Sequence, residues 1–129
     1  MALTEDVTAA IDEVRSHFPE TGLTVVEDGQ GGAYVIVEDL DLGEKSTPAR
    51  SWVGFQITFQ YPYSDVYPHF VRGDLTRSDG AGLGEATSAC QFQQRPAIQV
   101  SRRSNHLNPT TDTALLKLLK VVDWIRSRR

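Results

Sequence analysis

"SWVGFQITFQYPYSDVYP", residues 51–68, decides how this chain folds. In its first ten residues Val53, Phe55, Ile57 and Phe59 alternate with Trp52, Gly54, Gln56, Thr58 and Gln60. Period two is the mark of a β-strand with one buried face, and the four apolar residues are the predicted core side. Pro62 and Pro68 then forbid a regular strand interior, because proline cannot donate to a ladder. The strand is therefore predicted to run into a rigid, extended crossing.

Towards the N-terminus lie two more strand-like runs, "LTVVED" (23–28) and "AYVIVED" (33–39). The "GQGG" between them is a hairpin signal. Before these, Val7, Ile11, Val14 and Phe18 recur at helical spacing. Thr4 is the predicted cap, Glu5 and Asp6 sit at the positive end of the dipole, and Pro19 with Gly22 stops the helix. His17 reads as a helix-terminal histidine.

Towards the C-terminus, "HFVRGDL" (69–75) fits a fourth strand, and "TRSDGAGLGEATSA" (76–89) reads as a turn-rich mobile loop. The glycines from Gly80 to Gly84 have neither the Rossmann nor the P-loop spacing. "PAIQV" (96–100) is short and apolar. A final helix is predicted with Pro109 near its first position, Asn108 or Thr111 as cap, and Leu115, Leu118, Leu119, Val122 and Ile125 facing inward. Trp124 flanks that stripe as a candidate interface anchor. The fold class expected is α+β over a single domain, residues 1–129. It has an N-terminal helix, an antiparallel meander of three or four strands, an irregular segment and a C-terminal helix.

Composition narrows the function classes. The 129 residues carry 13 Lys and Arg against 17 Asp and Glu, a net charge of −4. That balance argues against a nucleic-acid binder. Positive charge gathers in the last third, from Arg95 to Arg129, which suits a protein–protein surface of one sign or a cationic helix end. One cysteine, Cys90, excludes an internal disulfide framework, and no Cys/His spacing suggests zinc. No apolar run has signal-peptide or bilayer-spanning character, so a reducing cytoplasm is the expected compartment. No cofactor, membrane or nucleic-acid partner is expected.

The densest chemistry lies in "AIQVSRRSNHLNP", residues 97–109. Together with Tyr61, Pro62 and Pro68 it carries a resemblance that spans roughly residues 4 to 126. The order of elements, and a tyrosine–proline motif with a second proline after the third strand, resembles the ubiquitin-conjugating-enzyme (UBC) superfamily and its non-catalytic RWD relatives. In that family a catalytic cysteine occupies an apolar–Cys–apolar step, followed by a Trp–x–Pro turn into the next helix. Here Ile98–Gln99–Val100 and Leu107–Asn108–Pro109 fall at matching separation, so Gln99 stands where the cysteine would be. No His–Pro–Asn motif precedes it, although His69 follows the tyrosine–proline segment. The departures are similar to divergent bacterial UBC-like proteins that accompany ubiquitin-like modifiers and activating enzymes. The resemblance implies as partners a ubiquitin-like modifier and an activating enzyme, and as activity the acceptance or positioning of the modifier's C-terminus for transfer to an amine. A scaffold without chemistry is the alternative.

With no cysteine at position 99, other nucleophiles come into question. Cys90 is one, if cations lower its thiol pKa, and Arg95 is its neighbour in sequence. Ser101 and Ser104 are others, with His106 as base, Arg102 or Arg103 at a developing oxyanion or the modifier's carboxyl end, and Asn105 as a further donor. The competing reading makes Ser104 and Asn105 turn residues, with Arg102, Arg103 and His106 in solvent.

Overall fold

The computed structural model describes residues 2–77, 87–101 and 107–127. Helix α1 spans Glu5–His17. Thr4 caps it as expected, its side-chain oxygen accepting from the Val7 amide at 3.1 Å. Val7, Ala10, Ile11 and Val14 are buried on one side.

Strands β1 (Leu23–Glu27) and β2 (Ala33–Asp41) form the predicted hairpin. Gly29 and Gly31 at its turn both have positive φ, a conformation that glycine adopts without steric cost. The Asp28 carboxylate accepts from the amides of Gln30 and Gly32 and from the side chain of Gln56. A short strand β3 (Ser46–Thr47) precedes β4 (Arg50–Ile57), which pairs with β2. Val53, Phe55 and Ile57 are fully buried, each such side chain being worth about 1.5–3 kcal/mol of transfer free energy. Phe59, predicted on the same face, is instead 53% exposed, because the ladder ends at Ile57 and the chain has already turned.

Strand β5 (His69–Arg72) pairs with β4. Thr76–Arg77 forms a short β6 against β3. The sheet does not stop at four strands. Thr87–Phe92 is β7 and Arg95–Val100 is β8, and together they extend the sheet to the order β1-β2-β4-β5-β8-β7, antiparallel throughout. Residues 87–89, read as the end of a loop, are thus strand. Their sequence, Thr-Ser-Ala, has no apolar alternation to announce it. Gly80–Gly84 lie outside the described residues.

Helix α2 covers Ala114–Ser127 and starts five residues beyond Pro109. Its buried residues are Ala114, Lys117, Leu118, Val121 and Ile125, a stripe rotated from the predicted one so that Leu119 is only half-buried. The cap is Thr113, whose hydroxyl accepts from the Leu116 amide. Asn108 closes a local turn instead, accepting from the backbone amide and hydroxyl of Thr110. Thr111 lies in that turn.

Both helices pack on one face of the sheet, and the main core lies between them and the inward residues of β2, β4, β5 and β8. A smaller apolar cluster of Ile36, Phe92 and Ala97, with Tyr34, Trp52, Phe70 and Cys90, lies on the opposite, outer face. The architecture is α+β with a helix at each end of a mostly antiparallel sheet.

Candidate functional site

The stretch 97–109 begins as the inner half of β8. Gln99 pairs with Phe70 of β5 on one side and Ser88 of β7 on the other, so it is an interior rung of the ladder. Alternation sends Ile98 and Val100 to the main core and Ala97 to the outer cluster, which puts Gln99 on the outer face. Its side-chain nitrogen donates to Ser101 Oγ at 3.1 Å. Ser101 is half-buried where β8 ends. The Ile98–Gln99–Val100 step, expected in an irregular segment, is regular strand, paired with β5 on one side and β7 on the other.

Cys90 is half-buried and faces Ala97 across the β7–β8 ladder on the same outer face. Arg95, its candidate activating cation, is engaged elsewhere. Both of its terminal nitrogens donate to Glu38 at 2.9 Å, and its guanidinium lies 5.3 Å from the centre of the Trp52 ring. Those hydrogen bonds, outweighing partial burial, hold the Glu38 carboxyl below the usual carboxylate range. Arg102, Arg103, Ser104, Asn105 and His106 lie outside the described residues, as do Arg128 and Arg129.

The crossing after β4 returns to the far end of the same stretch. Tyr61, Pro62, Ser64, Asp65 and Val66 line a recess of about 10 Å³ with Leu107, Asp112, Thr113 and Lys117. The Tyr61 hydroxyl accepts from the Ala114 amide at 3.0 Å, satisfying one of the donors left open at the start of α2. Burial pushes the Tyr61 phenol above its ordinary pKa. Lys117 is 7% exposed, and its ammonium donates to both Asp65 oxygens at 3.1 and 3.3 Å. A lysine on the inward stripe is tolerable only with such a partner, since an unpaired buried charge carries a heavy desolvation cost.

His69 is the residue that pattern reading undervalued. It is fully buried on the inner face, its ring 5.2 Å from Phe55, and among the described residues neither ring nitrogen has a hydrogen-bond partner. Burial, reinforced by the nearby Lys117 charge and opposed by Asp65, depresses its pKa to about 3. The imidazole is therefore neutral at physiological pH. It also lies across the sheet from Gln99 and Cys90, so it is not placed to serve as their base. The available signal was its register: two residues before Val71, it falls on the core face of a four-residue strand.

His17, at the end of α1, meets the edge of the Phe18 ring at 4.7 Å and takes no part in this region. Trp124 is half-buried and packs against the main core. Among the described residues no group of three or more His, Cys, Asp or Glu forms a metal-holding cluster, and no helix is long and apolar enough to cross a membrane. No family model, no curated protein and no solved structure matches the chain.

Proposed function

We propose that the chain is a UBC-like component of a bacterial ubiquitin-like conjugation pathway. In this reading it positions the C-terminus of a modifier, delivered by an activating enzyme, where β8 ends. The observation that carries the reading is the shared recess. The tyrosine–proline crossing (61–66) and the residues entering α2 (107–117) line the same small recess, which supports bringing those two segments together, although Gln99 and Ser101 do not line it. Ser101, half-buried at the close of β8 and hydrogen-bonded to Gln99, is the candidate nucleophile beside the position of the missing cysteine. In the covalent form of the proposal its Oγ attacks the thioester carbonyl held on the activating enzyme. A C–O bond forms, the C–S bond breaks, and the hydroxyl proton passes to the departing thiolate.

One observation favours the scaffold reading in its place. Gln99 is a rung of the ladder and its amide donates to Ser101 Oγ, an arrangement that orders the strand end. The two readings share partners and differ in whether a bond forms. Incubating the chain with the modifier, its activating enzyme and ATP, followed by intact mass and peptide mapping, separates them. The covalent reading expects a hydroxylamine-sensitive adduct that Ser101→Ala abolishes. An adduct that survives Ser101→Ala, Ser104→Ala and Cys90→Ala together removes every nucleophile named here. A stable complex without adduct leaves the scaffold.

A further inference from the structure

The tip of the β7–β8 hairpin leaves the sheet. Pairing of β8 with β5 ends at Ala97 opposite Arg72, followed only by a hydrogen bond from the Gly73 amide to the Pro96 carbonyl. Beyond that point residues 91–96 lie across the outer face. Phe92 reaches from the edge strand to the sheet centre, stacking on Phe70 at 4.5 Å and on Trp52 at 6.2 Å and meeting Tyr34 edge-on. It covers Gly54 so closely that a Cβ there would stand 2.5 Å from the Phe92 ring. Arg95 extends the reach to β2, where Glu38 takes both of its terminal nitrogens and is itself bound by the Thr24 hydroxyl. The connecting residues, Gln93 and Gln94, both have positive φ, which side-chain-bearing residues seldom adopt.

We propose that this hairpin tip is a strap, latched by the Arg95–Glu38 ion pair, whose release uncovers an aromatic platform of Tyr34, Trp52 and Phe70 while the sheet beneath stays folded. Its hold rests mainly on one apolar anchor, Phe92, and one ion pair about one-third exposed, with the Arg95–Trp52 contact and the Gly73–Pro96 hydrogen bond beside them. Segments held in this way open at lower free energy than the ladder around them. Trp52 and Arg95 also wall an open cleft of about 640 Å³ with Arg50, Arg72, Asp74 and Pro96, so a released tip would widen an existing concavity rather than create one. The strap would act whether or not the chain has any conjugating role.

Cys90, the only cysteine, sits in the covered cluster and reports on it. The test is the alkylation rate of Cys90 in the full chain, with amide exchange of β2 and β4 followed in parallel. Removing the ion pair with Glu38→Gln is expected to raise the rate roughly three- to fivefold, the scale of a partly exposed bidentate pair, with exchange in β2 and β4 unchanged. Raising salt to about 1 M, where the screening length is roughly 3 Å, is expected to speed alkylation of the unaltered chain but not of Glu38→Gln. Gly54→Ala should displace Phe92 sterically and accelerate labelling without touching a charge. An unchanged rate in Glu38→Gln, or a rise matched by equal loss of protection in β2 and β4, overturns the strap.

Discussion

His69 concentrates the residue-scale physics of this molecule. A histidine buried without hydrogen bonds is stable only while neutral, and its depressed pKa of about 3 expresses that condition. The sign follows from linkage. The folded pKa lies below the unfolded value of 6.5, so below pH 6.5 the unfolded chain binds the proton first. Stability is therefore intact above pH 6.5 and declines as the pH falls towards 3, by up to about 1.4 kcal/mol per pH unit. The group facing the ring from α2 is Lys117, and Asp65 faces it from the crossing. Replacing His69 with Leu should leave stability at pH 7 within about 1.5 kcal/mol of the original, a near-isosteric apolar exchange. The variant should lose less stability than the parent between pH 7 and pH 5, by about 2 kcal/mol. Urea midpoints at the two pH values measure this, and equal losses in both chains would show that His69 is not the acid-sensitive group. The sequence displayed this residue's position but not its isolation. Isolation depends on what the facing helix brings, and Lys117 reads as a surface residue until the helix register is known.

At the scale of elements, the two helices and the first four long strands were legible because each rests on a local signal. Thr4 and the Val7–Ile11–Val14 spacing define α1, the glycines at 29–32 define the first hairpin, and the alternation from Val53 to Ile57 defines β4. Strand β7 was not legible. "TSACQF" is an edge strand with only one paired side, so its residues need not alternate, and its pairing is imposed by β8 rather than announced by composition. The start of α2 was misplaced for a related reason. Pro109 and Asn108 form a good helix-start pattern, but the Tyr61 hydroxyl and the Thr113 cap fix the true start at Ala114 from outside the local sequence. Tyr61→Phe removes that hydroxyl and leaves the Ala114 amide without its acceptor. It should cost about 1–2 kcal/mol, read as a shift in urea midpoint with the slope unchanged. A midpoint shift under about 0.3 kcal/mol would mean that water replaces the hydroxyl at no cost.

Across the whole molecule the two sheet faces divide the chemistry. The inner face carries the main core, His69 and the Lys117–Asp65 pair, while the outer face carries Cys90, Gln99, Ser101 and the strapped aromatic cluster. This division rearranges the candidate site read from sequence. The hydroxyl and thiol candidates that lie within the described residues share a face, and the buried histidine is excluded from it. The α+β class was readable from element order because a helix before and after antiparallel strands has few ways to bury its stripe. The β7–β8 hairpin was not, since it joins the sheet only through the pairing of β8 with β5, a strand distant in sequence.

The central proposal is that this chain meets a modifier-charged activating enzyme, whether or not a bond then forms. Size-exclusion chromatography with light scattering, on the chain mixed with modifier, activating enzyme and ATP, measures that meeting directly. The proposal predicts a ternary species that depends on ATP and weakens when Tyr61–Pro62 is replaced by Ala–Ala in a variant whose circular dichroism is unchanged. Elution of the chain as a free species in every mixture, with ATP and without, would contradict it.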